Sequence, residues 1–274
     1  MQIDNLLIKL LVNEFSEGLK IELGQQCLAI YLMGSLARGG FSPLASDIDI
    51  GVVVDTKMDS TGDIIQRIRA QVAQGHPEIR NNLSIFWGSI RSINGVIDGG
   101  RYPPFDRLDL INHGQLVYGV DVRNQLIPPS RKELENDSAL FALDYLARDA
   151  RVSEFGHLKN MAQQGVVHVT KTILFPARFI YLAQTGNIAG NDSSKEYYLK
   201  YFSGPDATLV KQGYEWRLKG IPDDLALVCR YLEEGLVILY VNFIDIYVQK
   251  MEHYAEFEIA GDLRSWKNRI LEQY

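Results

Sequence analysis

Two short motifs, a Gly-Ser pair at 34–35 and two aspartates at 47 and 49, constrain how the first half of this chain can fold. An apolar run over 27–33 ends in Gly34-Ser35, the pattern of a buried strand that enters a turn. A second strand is predicted over 47–54, and it begins with Asp47 and Asp49. Side chains alternate along a strand, so both carboxylates are expected on the same side of the sheet. The sequence therefore predicts a glycine–serine turn close to a pair of carboxylates.

The residue types of these motifs suit a phosphate group and a hard metal ion. Mg²⁺ prefers carboxylate oxygens together with substrate phosphates, so Asp47 and Asp49 are the candidate metal ligands and catalytic carboxylates. Backbone N–H groups of a glycine turn, and a serine hydroxyl, bind phosphate oxygens, which makes Gly34 and Ser35 candidate phosphate ligands. The alternative is a plain turn serine beside two solvated aspartates.

Two further polar residues lie between the two motifs. Arg38 is predicted either to reach phosphate with its fork-shaped guanidinium or to pair with a nearby carboxylate. Ser46 belongs to the same binding loop, where its hydroxyl is expected to bond the local backbone and orient the loop before Asp47. Together they extend the predicted binding site along the segment that joins the two motifs.

Composition restricts the kinds of partner. The 274 residues carry a net charge of −6, which disfavours a general nucleic-acid binder because such proteins present basic surfaces. The two cysteines have no metal-ligand spacing, and the first residues have no basic stretch of a secretory leader, which favours a cytoplasmic protein. The most apolar stretch, 236–248, is too short to span a bilayer, so no membrane association is expected.

The pattern of elements changes near residues 125–137. Before Pro128-Pro129, the sequence predicts alternating helices and strands: a helix over 4–23 capped by Asp4, strands over 27–33, 47–54 and 83–90, a helix over 60–74, and a strand or short helix over 107–119. After it, the sequence predicts only helices: 138–156 capped by Asp137 or Ser138, 166–185, 193–202 capped by Asp192 or Ser193, and 224–254. We therefore predict an α/β domain over 1–127 and an all-α domain over 128–274.

Together, Gly34-Ser35, Arg38-Gly39 and Ser46-Asp47-Ile48-Asp49 resemble the signature of the DNA polymerase beta-like nucleotidyltransferase superfamily. Two further segments, 112–121 and 173–186, are similar to bacterial aminoglycoside adenylyltransferases of the streptomycin/spectinomycin type. The resemblance implies a nucleotidyltransferase domain with a small mixed β-sheet, followed by a C-terminal helical bundle. It also implies ATP with Mg²⁺ as the donor, and a hydroxyl of a small molecule, such as an aminoglycoside, as the acceptor.

The chain departs from the resembled enzymes at one position. Those enzymes carry a further acid on the strand after the paired aspartates, and here that strand has none, with Ser84 as the nearest polar residue. Asp109 is the candidate that we place among the catalytic residues, with Asp106 and Glu78 as other candidates. For each of the three, the alternative is a solvated or helix-capping role.

Candidate cations lie in the helical domain. Lys171 and Arg178 are two helical turns apart and share a face, so both are predicted to reach the triphosphate. The resemblance implies a lysine after Thr185-Gly186, and Lys195 is the candidate for that role. For each of these cations the alternative is a solvated surface position. His168, on the same predicted helix as Lys171, is expected either to face the nucleotide together with these cations or to be a packing or surface residue.

Arg151 and His157 have a spacing that occurs in a helical ribonuclease motif, and chance is the alternative explanation for it. The leading functional hypothesis is a nucleotidyltransferase that moves AMP from ATP to a small-molecule hydroxyl in a Mg-dependent in-line reaction. The second is a nucleotide-binding protein without transfer activity, acting in a regulatory or toxin–antitoxin pair, because the strand acid is missing. The third is AMP transfer to a protein. The oligomeric state is left open.

Overall fold

A computed structural model describes residues 5–55, 60–76 and 82–274. Asp4 and Glu78, which were predicted to be a helix cap and a candidate acid, lie outside these ranges. The chain divides into two compact units, Met1–Pro129 and Ser130–Tyr274.

Helices and strands alternate in the first unit. Its elements in chain order are α1 (Asn5–Leu23), β1 (Cys27–Leu32), α2 (Gly34–Arg38), β2 (Ile48–Val54), α3 (Thr61–Gly75), β3 (Leu83–Ser89), α4 (Ile90–Ile93), α5 (Pro104–His113) and β4 (Gln115–Gly119). The segment 107–119, predicted as a strand or a short helix, contains the end of α5 and all of β4. Gly34 and Ser35 are the first two residues of the short helix α2.

The four strands form one sheet in the order β3-β2-β1-β4. Strand β1 runs antiparallel to both β2 and β4, whereas β2 and β3 are parallel. The sheet is therefore mixed, which confirms the predicted fold class of this unit.

Each face of the sheet has its own core, because side chains alternate along β2. Ile48, Ile50 and Val52 are buried in one core, with apolar residues of α1 and α3. Val53 belongs to the other core, which also includes Leu110 of α5. Asp49 alternates in phase with Val53, so it lies on the face that α5 covers.

The second unit consists of packed helices, which confirms the predicted helical bundle. Its helices are α6 (Arg131–Tyr145), α7 (Asp149–Ser153), α8 (Leu158–Gln163), α9 (Val166–Thr185), α10 (Asn191–Tyr201), α11 (Pro205–Lys219), α12 (Leu225–His253) and α13 (Phe257–Gln273). The predicted boundaries of α9 agree with the structure, and those of α12 differ by one residue at each end.

The starts of two helices were predicted wrongly. Helix α6 begins at Arg131, because Ser130 and Glu133 form a reciprocal capping box at its N-terminus. The predicted helix 138–156 is therefore divided between α6 and α7, and neither Asp137 nor Ser138 is a cap. Helix α10 follows Gly190 at the N-cap position, with no side-chain cap from Asp192 or Ser193.

Helix α9 contains a proline in its interior, Pro176. Proline has no N–H to donate to the carbonyl four residues earlier, which belongs to Thr172. The buried hydroxyl of Tyr240 on α12 donates to that carbonyl at 3.0 Å. A tertiary hydrogen bond therefore supplies the donor that the helix lacks.

Helix α9 is also long and apolar enough, by length and composition, to span a bilayer. However, 61% of its most apolar window is buried inside the protein. Burial of that extent is the environment of a core helix in a bundle.

Candidate functional site

The turn after β1 and the start of β2 are in direct contact. The backbone N–H of Met33 donates to the carbonyl of Asp49 at 2.9 Å. Gly34 follows with a φ of +61°, and a Cβ placed there would lie 1.9 Å from Oδ2 of Asp49. Only glycine leaves room for the carboxylate at this position and adopts this φ at low cost. The two motifs therefore meet in the folded unit.

Asp47 lies just before β2, one residue outside the strand that was predicted to contain it. The loop that leads to it is held by Ser46, whose buried hydroxyl accepts a hydrogen bond from the N–H of Ser42 at 2.8 Å. The amide of Asn82 donates to the Ser46 carbonyl at 3.2 Å. Ser46 thus makes the local backbone contact expected for a residue that orients this loop.

Asp109 reaches the same turn from α5. The residue is only 1% exposed, and its Oδ2 accepts a hydrogen bond from the backbone N–H of Gly34 at 2.7 Å. Its Oδ1 accepts a hydrogen bond from Nη1 of Arg38 at 2.5 Å. Asp109 is therefore not solvated; it bonds the first N–H of α2 and pairs with Arg38. For Arg38, carboxylate pairing was the alternative to phosphate binding, and this contact is present.

Ser84 is the neighbour of Asp49 in the parallel register of β2 and β3. Paired residues of adjacent strands present their side chains on the same face of the sheet. A hydroxyl, not a carboxylate, is therefore the polar group that β3 presents beside Asp49. Asp109 is a further carboxylate that contacts the Gly34 turn.

Tyr102 was not among the residues predicted from the sequence. Its hydroxyl lies 3.1 Å from the sulfur of Met33, and a Cβ on Gly51 would approach that hydroxyl to 2.2 Å. Burial raises the pKa of Tyr102 well above its usual value, and the nearby charges of Asp106 and Asp109 raise it further. The available signal was Gly51 itself, since glycine inside a strand marks a close approach by another group.

The candidate cations of the second unit lie on two helices. Lys171 and Arg178 are both half-buried on α9, and the Arg178 guanidinium lies 5.8 Å from the ring centre of Phe175. Lys195 on α10 lies over the ring of Tyr214, with its Nζ 4.4 Å from the ring centre. Their nucleotide-binding roles stay predictions.

Arg151 contacts His168 rather than His157. Its Nη1 lies 2.8 Å from Nε2 of His168 and 3.1 Å from Oγ1 of Thr172. Glu154 also contacts His168 at 2.8 Å, and burial lowers the pKa of this histidine. The Nδ1 of His157 instead faces the Ser153 carbonyl. The contacts of Arg151 are thus those of a partly buried polar cluster in the helical unit.

The carboxylates of Asp47 and Asp49 are the kind of ligand that Mg²⁺ prefers. Within residues 5–55, 60–76 and 82–274, no three or more His, Cys, Asp or Glu side chains gather as a metal cluster. Mg²⁺ is commonly bound by one or two carboxylates plus substrate phosphates rather than by a cage of protein ligands. The two half-buried carboxylates of Asp47 and Asp49 provide hard oxygens of that kind.

Residues 12–82 match the family model of the nucleotidyltransferase domain. The matched segment contains both motifs, and this confirms the resemblance of the chain to nucleotidyltransferases of the polymerase beta-like type.

Among solved structures, the fold is similar to spectinomycin adenyltransferase AAD(9) from Enterococcus faecialis, solved with ATP and spectinomycin. The TM-score is 0.57 at 15% sequence identity, and the match covers 82% of this chain and 97% of that chain. No curated protein sequence matches the chain significantly.

Proposed function

We propose that this protein transfers AMP from ATP to a hydroxyl group of a small molecule. The observation that carries the proposal is the contact between Gly34 and the Asp49 carboxylate, because it joins the proposed phosphate-binding turn to a proposed metal-binding carboxylate. In this proposal 1–127 is the catalytic domain and 128–274 is a helical domain that contributes Lys171, Arg178 and Lys195 to the nucleotide.

Asp47 and Asp49 would hold Mg²⁺, and Gly34, Ser35 and Arg38 would bind the triphosphate. When bound, Mg²⁺ supplies positive charge that neutralises the phosphate oxygens. The acceptor hydroxyl releases its proton to water, and its oxygen forms a bond to the α-phosphorus while the bond to pyrophosphate breaks on the opposite side. The protein contributes mainly by alignment and by stabilising charge, as in other phosphoryl transfers.

The acceptor class is supported by the fold that this chain shares with AAD(9), whose structure contains spectinomycin. A net charge of −6 also suits a cationic acceptor, since an acidic protein surface attracts polycations. An aminoglycoside or related aminocyclitol is therefore the first acceptor to test. The protein is expected to be cytoplasmic.

The test measures AMP transfer from labelled ATP to a panel of aminoglycosides and aminocyclitols. Asp49→Asn should abolish transfer and weaken the affinity for Mg-ATP, because it removes a metal-binding charge from the turn. Asp55→Asn is the matched control, since Asp55 is exposed just beyond the other end of β2. If the wild type transfers nothing and Asp49→Asn leaves Mg-ATP affinity unchanged, the site assignment is wrong.

A second candidate function is nucleotide binding without transfer. It is favoured by the register that places Ser84, rather than an acid, beside Asp49. A serine hydroxyl is a poor proton acceptor at neutral pH, and the Asp109 carboxylate already accepts two hydrogen bonds. Calorimetry that shows tight Mg-ATP binding, with no turnover on any acceptor, would favour this function over transfer.

A further inference from the structure

Asp109 is the group that ties α5 to the Gly34 turn, and its contacts divide cleanly between its two oxygens. One oxygen accepts the Gly34 N–H at 2.7 Å, and the other accepts Nη1 of Arg38 at 2.5 Å. The side chains of Asp109 and Arg38 are only 2% and 11% exposed. The pair is therefore shielded from water, and hydrogen bonds between charged groups are stronger in the protein interior than in water.

Arg38 keeps hydrogen-bonding capacity beyond this pair. A guanidinium carries five N–H donors in a rigid fork, and Nη1 makes the contact with Asp109. Its Nε is buried and meets no hydrogen-bond acceptor in the part of the chain that the structure describes. A buried donor without an acceptor costs stability, and a phosphate oxygen from a ligand would satisfy it.

The Gly34 backbone is the meeting point of two carboxylates. Asp49 lies against its Cα, where a Cβ would be 1.9 Å from Oδ2, and Asp109 accepts its N–H. Arg38 follows Gly34 by one helical turn on α2, so the pair with Asp109 fixes both ends of this short helix. Movement of Asp109 would therefore disturb the turn and the guanidinium together.

We propose that Asp109 is a positioning residue for nucleotide binding, which fixes the Gly34 turn and aims Arg38 at the outer phosphates of ATP. This inference rests on the proposed function. Asp109, which the sequence placed among the catalytic residues, then acts through Arg38 rather than on the acceptor. A carboxylate that is 2% exposed and bonded at both oxygens offers no access to an acceptor hydroxyl.

The test compares the affinities for Mg-ATP and for AMP, because AMP lacks the outer phosphates. Calorimetry would be run on the wild type, Asp109→Asn, Arg38→Gln and the double variant, below their unfolding temperatures. We expect each single variant to lose about 10- to 100-fold in ATP affinity, as for a charged hydrogen bond, and much less in AMP affinity. The double variant should lose no more than the weaker-binding single variant, because the two residues act as a unit.

Matched controls separate charge from position. Asp98→Asn and Arg91→Gln make the same changes of charge at exposed positions of the same unit, and both should bind ATP as the wild type does. A purely structural role for Asp109 would lower the unfolding temperature and reduce ATP and AMP affinities equally. The ratio of the two affinities is therefore the decisive quantity.

The inference is overturned if folded Asp109→Asn keeps the wild-type ratio of ATP to AMP affinity. If Asp109→Asn does not fold because Arg38 is left as an unpaired buried charge, the double variant removes both charges, and its ratio gives the answer. A wild type that fails to bind Mg-ATP refutes the proposed function and this inference together. A wild type that binds ATP, with ratios unchanged in all variants, refutes the inference alone.

Discussion

Gly34→Ala is the substitution that most directly tests the contact between the two motifs. The new methyl group would lie 1.9 Å from Oδ2 and 2.8 Å from Cγ of Asp49. Carbon and oxygen atoms pack at about 3.5 Å, so the carboxylate would have to move by roughly 1.5 Å. The same substitution also places a Cβ on a residue with a φ of +61°.

Two costs combine in this variant, and a second glycine separates them. The left-handed backbone costs roughly 1–2 kcal/mol for a residue with a Cβ. Gly24 has a similar φ of +53°, and a Cβ added there would meet no heavy atom within 4 Å, so Gly24→Ala carries the backbone cost alone. The steric conflict at Gly34 should add about 1–3 kcal/mol, the usual cost of overpacking.

Urea unfolding measures the loss of stability in both variants, and calorimetry with Mg-ATP measures the loss at the site. We expect Gly24→Ala to retain wild-type ATP affinity and transfer activity. Gly34→Ala should lose about 100-fold in transfer, since a misplacement of about 1 Å at a reacting centre has that effect. Equal ATP affinity and equal activity in the two folded variants would refute the contact as the basis of the site.

Three further predictions concern the helical unit. Tyr240→Phe removes the donor to the Thr172 carbonyl and should cost about 1–3 kcal/mol in the free energy of unfolding, measured with urea; an unchanged value would contradict that role. Burial raises the pKa of Asp137 to about 6, because the buried site disfavours the charged carboxylate. The folded protein is therefore more stable at low pH, where Asp137 is protonated, and this stability is lost as the pH rises through 6. Asp137→Asn should therefore raise the unfolding temperature at pH 7.5 but not at pH 3.5, whereas Asp144→Asn, with a 79% exposed side chain, should change it little at either pH. Ser130→Ala removes the capping box of α6 and should lower the free energy of unfolding by about 1 kcal/mol. Ser130→Thr keeps a hydroxyl at the cap and should retain most of the wild-type stability, both measured by urea unfolding.

Much of the local structure could be predicted because it depends on neighbouring residues. Apolar periodicity placed β1, β2, β3 and α9 within one or two residues, and it separated a mixed first unit from a helical second unit. The errors were local as well. The start of α6 was predicted wrongly although Ser130 and Glu133 have the spacing of a capping box, which was a readable signal.

The chemical types of the site were also a property of the sequence. Gly34-Ser35 and the aspartates at 47 and 49 were recognisable by spacing, because alternation along a strand and the needs of a turn are local rules. Their roles in binding ATP and Mg²⁺ stay predictions. Gly51 was a signal for a close approach, but nothing local identified Tyr102 as the group that approaches.

Only the tertiary structure decided which groups surround the turn. Asp109 bonds the N–H of Gly34 across 75 residues, and it does so because α5 packs on the sheet face that carries Asp49. That packing depends on how two apolar surfaces fit, which no local pattern specifies. The sequence by itself therefore determined the strand, the turn and the carboxylate pair. The fold decided that Ser84 stands beside Asp49 and that Asp109 is bound to Arg38.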